Sequence, residues 1–385
     1  MTPDMSVIIP TLNRASSLAR TLETLAAQET DGAFTPPHGS PALECGEERE
    51  SPKGDSPKPR ALARGAGFTY EVVVVDNGST DDTADTIARL ARAFPVPLRR
   101  VTEPRRGRPQ ALNTGLREAA GAMFVVTDDD LLISPGWLRA FWRCFQEERP
   151  DGVAGRVLPR WTGGSPAWLA NGAQADLNRL GLGCLDHGAQ RISSRSGRYC
   201  RWVGGNMAIR RQAVERVGGF DERFIRGQDR EFYERCVEQG LVICYEPEAL
   251  AHHLVGADRV TPAYFRRWRG RQGAYDAYLL PWRRADLLTI VPLWWYGRTL
   301  RTLGQWAASV VRRRPWAERF RHELALRHAG SVWARRLQLW PRWWLTVVTG
   351  RSHLPAALGT DVFKAAAAKA AVRGDADMCS QVRSA

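Results

Sequence analysis

Three consecutive carboxylates, Asp128-Asp129-Asp130, close the apolar run Met123-Phe-Val-Val-Thr127. Three like charges at a strand end repel one another unless a cation or a polar ligand collects them. Their hard oxygen atoms suit Mg2+ or Mn2+. A divalent ion at such a place would bridge the two phosphates of a nucleotide diphosphate and take up charge as that group leaves, with no nucleophile required from the protein. The plainer reading is a solvated acidic turn that caps the next helix. Two further polar groups also close apolar runs: Pro10-Thr11-Leu12-Asn13-Arg14 after Ser6–Ile9, and Asp76-Asn77 after Glu71–Val75. A carboxylate at the second place can accept hydrogen bonds from a base or ribose. Alternatively, Asp76 and Asn77 only make the turn before a helix.

The elements that must position these groups follow from the spacing of apolar residues. Val72–Val75 is a β-branched run of the kind found in a parallel strand covered on both faces. Helical spacing recurs at Leu18, Leu22 and Leu25, at Ile87, Leu90, Ala91 and Phe94, and at Leu138, Phe141, Trp142 and Phe145. Ser79 and Asp82 form a capping-box pattern for the second of these helices. A further helix is expected over 110–119 and a strand over 152–158; regular structure returns over 202–209, followed by a helix ending at Gly218, a helix over 229–238 and a strand over 241–245. Residues 160–200, rich in glycine and serine, give no firm period. Strand and helix alternating in series predict an α/β fold with a right-handed, mostly parallel sheet flanked by helices. Ligands of such sheets bind beyond the carboxyl ends of the strands, where all three polar groups fall.

Together, Val-Ile-Ile-Pro-Thr-Leu-Asn-Arg, Val-Val-Asp-Asn-Gly-Ser-Thr-Asp-Asp-Thr, Thr-Asp-Asp-Asp and Gly-Gly-Asn-Met-Ala resemble the family 2 glycosyltransferases of the GT-A fold over roughly residues 5 to 270. That resemblance implies transfer of a sugar from a nucleotide diphosphate donor to a hydroxyl acceptor, such as a polysaccharide, glycolipid or lipid-linked glycan. It implies a donor site at Pro10, Thr11, Asn13, Arg14, Asp76, Asn77, Asn113, Asp128 and Asp129, with Thr11 and Asp76 at the base and Asp128 facing the ribose. Asp130 would hold the metal, together with His253 or its neighbour His252. Asp229, at the start of a late helix, would be the base of an inverting single displacement. Gln228 stands where the family more often has glutamate, which puts a second carboxylate contact in doubt. Gly204, Gly205 and Asn206 would line the acceptor side, where glycine lets backbone approach a sugar closely.

Other classes fit less well. A sugar-nucleotide nucleotidyltransferase would want a glycine-rich phosphate loop after the first strand, and Pro10–Arg14 contains no glycine. A non-catalytic, membrane-bound scaffold would not need the aspartates. Cys184, His187 and Cys200 supply three zinc ligands without a fourth. The seven cysteines are scattered, as expected of reduced thiols.

With 385 residues, 44% of them hydrophobic, the chain can bury one large core and carry appendages. The expected organisation is a catalytic domain over 1–258, interrupted by a disordered Pro-, Gly- and Glu-rich insertion at 29–67, then a basic helical region over 259–353 and a frayed helix and tail over 354–385. Between Arg259 and His353 there are nineteen arginines and four carboxylates, which accounts for the whole net charge of +14. Ten of the fifteen tryptophans fall between Trp268 and Trp344. Arginine with tryptophan suits a membrane–water interface. No nucleic-acid motif accompanies the charge, so no nucleic-acid partner is expected. No signal-peptide pattern opens the chain, and no apolar run is long enough to span a bilayer. A cytoplasmic protein, peripheral on an anionic membrane, is therefore expected.

Overall fold

A computed structural model describes residues 2–29, 67–164, 181–198, 200–224, 227–280 and 290–349. The expected insertion (its residues 30–66) and the tail from 350 lie outside these. The strands are β1 (Met5–Thr11), β2 (Tyr70–Asp76), β3 (Leu98–Thr102), β4 (Met123–Thr127), β5 (Leu131–Ile133), β6 (Gly152–Trp161), β7 (Ile192–Ser193), β8 (Asn206–Arg210) and β9 (Ile243–Val255). The helices are α1 (Ala15–Ala26), α2 (Thr83–Ala91), α3 (Arg108–Glu118), α4 (Trp137–Glu147), α5 (Arg211–Val217), α6 (Gln228–Glu238), α7 (Pro262–Leu279), α8 (Leu293–Val311) and α9 (Trp316–Thr349).

One sheet runs β3-β2-β1-β4-β8-β6-β9-β5, with β7 paired to β9. β1, β2, β3, β4, β6 and β9 point one way and β5, β7 and β8 the other, so the sheet is mostly parallel. Its central strands are buried at every residue because they are covered twice. Alternation sends Val7, Ile9, Val72, Val74 and Val125 into a core with Leu18, Leu22, Ile87 and Phe141. It sends Ile8, Val73, Val75, Phe124 and Val126 into a second core with Leu112, Leu116, Ala213 and Phe232.

Some local expectations fail for identifiable reasons. Helix α2 begins at Thr83 without a capping box, because Asp81 accepts from the Thr83 amide at 3.2 Å and the Ser79 hydroxyl accepts from the Asn13 amide at 3.0 Å. β9 continues well past Tyr245, since a register shift opposite Gly155 and Arg156 accommodates Pro247.

Helices α7, α8 and α9 form a layer of their own. At Gly273 an added Cβ would collide with the His328 carbonyl oxygen, so this glycine sets how closely α7 approaches α9. Asp276 of α7 joins both neighbours: it accepts from Arg230 of α6 at 3.0 Å and lies 2.7 Å from His328 of α9. Burial alone would raise the Asp276 carboxyl, but His328 and Arg230 outweigh it and hold it below its ordinary value. Burial lowers His328 below the usual histidine range. Both shifts favour folding at neutral pH and withdraw that support on acidification, His328 below its ordinary value near 6.5 and Asp276 below about 4. Asp276→Asn should therefore cost about 3 kcal/mol at pH 7. The gap in melting temperature from the native chain should shrink as the pH is lowered to 3; a gap independent of pH would contradict this account.

Candidate active site

Four turns meet at the carboxyl end of the parallel strands. Parallel register pairs Thr11 with Asp76. Antiparallel register pairs Thr127 with Asn206, which brings Gly204 and Gly205 beside Asp128. Leu131 pairs with His253, which brings His253 beside Asp130. Helix α6 begins at Gln228 and delivers Asp229 to the same place.

Five side chains engage the acidic triplet. Thr11 Oγ1 donates to Asp129 Oδ2 at 2.7 Å, and burial pushes the Asp129 carboxyl up to about 7. Arg14 Nη1 donates to Asp130 Oδ2 at 2.8 Å. His253 Nε2 lies 3.4 Å from that same oxygen and Arg259 Nη2 lies 3.8 Å from it. Burial would raise Asp130, but His253 and Arg14 outweigh it and hold it far below the usual carboxylate range. Arg108 Nη2 donates to Asp128 Oδ1 at 2.5 Å and to the Gly204 carbonyl at 3.0 Å. Burial would lower this guanidinium, but Asp128 reverses the direction.

Gly204 links the triplet to the late helix. Its carbonyl takes Arg108, and its amide donates to Asp229 Oδ2 at 3.2 Å. A Cβ at Gly204 would meet Arg108 and Asp229, and one at Gly205 would collide with the Asp128 carboxylate. Trp202 Nε1 donates to the Asp229 carbonyl at 3.0 Å and so fixes the start of α6. The Gln228 amide is buried, and its Oε1 has no hydrogen-bond partner among the described residues.

Other residues singled out from sequence serve the frame. Asp76 accepts from the Ser79 amide at 2.8 Å and from Arg100 at 3.0 Å. Asn77 ties the 103–107 turn through the Glu103 and Arg105 carbonyls and the Gly107 amide, each at 2.8 Å. Asn13, at φ 53°, accepts from the Thr80 amide at 2.7 Å, and Pro10 lies buried within β1. Asn113 clasps both the carbonyl and the amide of Phe220 at 2.8 Å. Asn206 is wholly buried, accepting from Trp137 Nε1 at 2.7 Å and donating to the Arg156 and Ala249 carbonyls at 2.8 and 2.9 Å. Its amide is thus spent within the core, and the backbone of Gly204 and Gly205 faces the site. His252 points away from His253, as alternation requires, and is only half-buried.

Sequence reasoning missed Arg108 and Arg259. A cation in the first turn of a helix is disfavoured by the helix dipole, so Arg108 at the start of α3 signals a nearby anion. Arg259 offers no comparable signal. Among the described residues no three His, Cys, Asp or Glu side chains stand together as a metal cage, and Cys184, His187 and Cys200 do not form one. Asp130 and His253 bring one oxygen and one nitrogen to within 3.4 Å, with Arg14 and Arg259 against those atoms in place of a metal. That donor set fits an Mg2+ or Mn2+ that fills the rest of its shell with phosphate oxygens and water.

A mostly parallel sheet with its polar groups gathered in this way is the GT-A, Rossmann-like type of α/β fold. Residues 60–218 match the family model described as glycosyl transferase family 2, and residues 189–254 match one described as the N-terminal domain of galactosyltransferase. Residues 60–218 thus carry the pattern of a family 2 glycosyltransferase. It is 25% identical over 193 residues to glycosyltransferase AglE of Haloferax volcanii, covering 50% of this chain and 58% of that protein. It is 26% identical over 218 residues to a beta-monoglucosyldiacylglycerol synthase of Nostoc, covering 55% and 44%. The chain thus spans about half the length of these curated relatives. A solved mannosyltransferase from Pyrobaculum calidifontis, in complex with GDP-Man and Mn2+, superposes with a TM-score of 0.46 at 20% identity, covering 100% of this chain and 79% of that one.

Proposed function

We propose that the protein transfers a sugar from a nucleotide diphosphate donor to a hydroxyl of a glycan or lipid-linked acceptor, by an inverting single displacement assisted by Mg2+ or Mn2+. The observation that carries this reading is the Gly204 peptide, which bonds Asp229 through its amide and Arg108, the partner of Asp128, through its carbonyl. The base candidate and the acidic triplet therefore lie on either side of one peptide. Asp229 takes the proton from the acceptor hydroxyl. That oxygen bonds to the anomeric carbon while the bond from this carbon to the diphosphate oxygen breaks, and the electron pair leaves with the nucleoside diphosphate. Asp130 and His253 would hold the metal, which when bound supplies positive charge to the departing diphosphate. Arg14 and Arg259 add fixed cations beside it. Incubation with a panel of nucleotide sugars and Mn2+ should release nucleoside diphosphate from one of them; no release from any sugar would remove the proposal.

The helical layer supports a second part of this reading, contact with the inner face of an anionic cell membrane and a role in envelope polysaccharide synthesis. Leu293, Gly297, Leu300, Gly304, Ala307 and Val311 form one exposed, uncharged stripe along α8. Leu293, Leu300 and Val311 are 73%, 67% and 81% exposed, and Arg312, Arg313 and Arg314 follow directly. Among the described residues no helix is long and apolar enough to cross a membrane. A helix of this kind lies in the interface with its apolar stripe buried. The chain should sediment with anionic phospholipid vesicles at low salt and be released by added salt. Leu300→Glu should weaken binding about tenfold or more. Absence of sedimentation at low salt would end this part of the reading.

A further inference from the structure

Arg267 and Arg271 take no part in the chemistry described so far. Arg259, Tyr264, Arg267, Trp268 and Arg271 line a cavity of about 320 Å³ where α7 meets the turn before it. The last four stand at i, i+3, i+4 and i+7 on α7, hence on one face. This face is braced from behind. The Trp268 indole lies directly on Gly181, where any Cβ would overlap the ring, and the Tyr264 hydroxyl donates to the Gly181 carbonyl at 3.3 Å. The adjacent Leu182 carbonyl bonds His253 Nδ1 at 2.5 Å. Arg259 reaches the other way, with Nη1 3.1 Å from His253 Nε2. The cavity therefore shares a wall with the Asp130–His253 pair.

Of the three arginines lining this cavity, Arg259 faces Asp130 at 3.8 Å, and the charge of the other two is uncompensated among the described residues. Among the described residues the carboxylates of the helical layer are engaged elsewhere: Asp276 with Arg230 and His328, Glu318 with Arg314, Glu323 with Arg266 and Arg327. Arg267 and Arg271 are exposed and have no ion-pair partner among the described residues. Guanidinium groups one turn apart repel unless an anion joins them, and their forked donors match phosphate oxygens. A cavity of this size holds a small ligand, and its aromatic wall offers an apolar surface to whatever carries the anion.

We propose that this cavity binds a phosphate group on the acceptor, next to but separate from the donor's diphosphate. The inference rests on the glycosyltransferase reading, for which it narrows the acceptor to a phosphate ester. Arginine at this place also serves a physical need, because two phosphate-bearing substrates can approach each other only if cations intervene.

Calorimetry on the full chain saturated with Mn2+ and a nucleoside diphosphate tests this, with inorganic phosphate and octyl phosphate below its micelle concentration as probes. Octyl phosphate should bind while the nucleotide stays bound. Arg267→Ala with Arg271→Ala should weaken it tenfold or more, Lys at both positions should restore part of the loss, and nucleotide affinity should stay within about twofold. Tighter binding of octyl phosphate than of inorganic phosphate would assign a lipid headgroup as the source; equal binding would assign a soluble phosphate. Displacement of the nucleotide by octyl phosphate, or undiminished binding in the double alanine variant, would overturn the proposal. Arginine-dependent phosphate binding by a chain that takes no nucleoside diphosphate would leave the phosphate site standing and remove the glycosyltransferase reading instead.

Discussion

Asp229→Asn is expected to lower turnover by about 10²- to 10⁴-fold, the range for loss of a general base. Asparagine has nearly the same shape and can still accept the Gly204 amide through Oδ1, so this contact should survive the change. The expected signature is a fall in kcat with affinity for nucleoside diphosphate plus Mn2+ kept within about twofold, since a lost proton acceptor affects the reacting complex rather than donor binding. Equal turnover of variant and native chain would remove Asp229 from the chemistry. A parallel loss of nucleotide affinity would assign it to the donor instead.

Asp130→Asn should have the other large effect, and of the opposite kind. The native carboxylate is held ionised by His253 and Arg14 and provides the charged oxygen nearest His253. An amide there keeps the volume but loses the charge that would attract a divalent ion. Activity and nucleoside diphosphate affinity in the presence of Mn2+ should both fall about 100-fold or more, exceeding the 10- to 100-fold typical when only a residue behind a metal ligand is changed. The Mn2+-independent part of nucleotide binding should change little, because the amide keeps the volume of the carboxylate. Retention of full Mn2+ dependence would place the ion elsewhere.

The central strands β1, β2 and β4 were legible in sequence because burial on both faces leaves continuous apolar runs. Strand β3, Leu98-Arg-Arg-Val-Thr102, was not: it lies at the sheet edge and has only two apolar residues, Leu98 and Val101, in five positions. Strand β5 has three residues directly after the aspartates, too few to show a period. At the site, the polar groups that end strands could be read because the topology of a parallel sheet sends them to one edge. What could not be read was how far each side chain is already engaged. Asn206 and Asn113 look like ligand-facing amides in sequence, yet both are committed to neighbouring backbone, a matter of tertiary packing. Arg108 could have been anticipated from its unfavourable place in the first turn of α3. The layering of α7 on α9 depends on Gly273 and on the buried Asp276–His328 contact, neither of which carries a local signature.

The central claim is that Asp128, Asp130, His253 and Asp229 serve one site, around a metal-bound diphosphate. A crystal structure of the full chain with Mn2+ and the nucleoside diphosphate it releases tests this directly. Anomalous density for Mn2+ between Asp130 and His253, with the diphosphate reaching across to the Gly204–Asp229 side, is the expected result. Mn2+ or diphosphate bound away from these residues, with Asp229 facing no ligand, would contradict it.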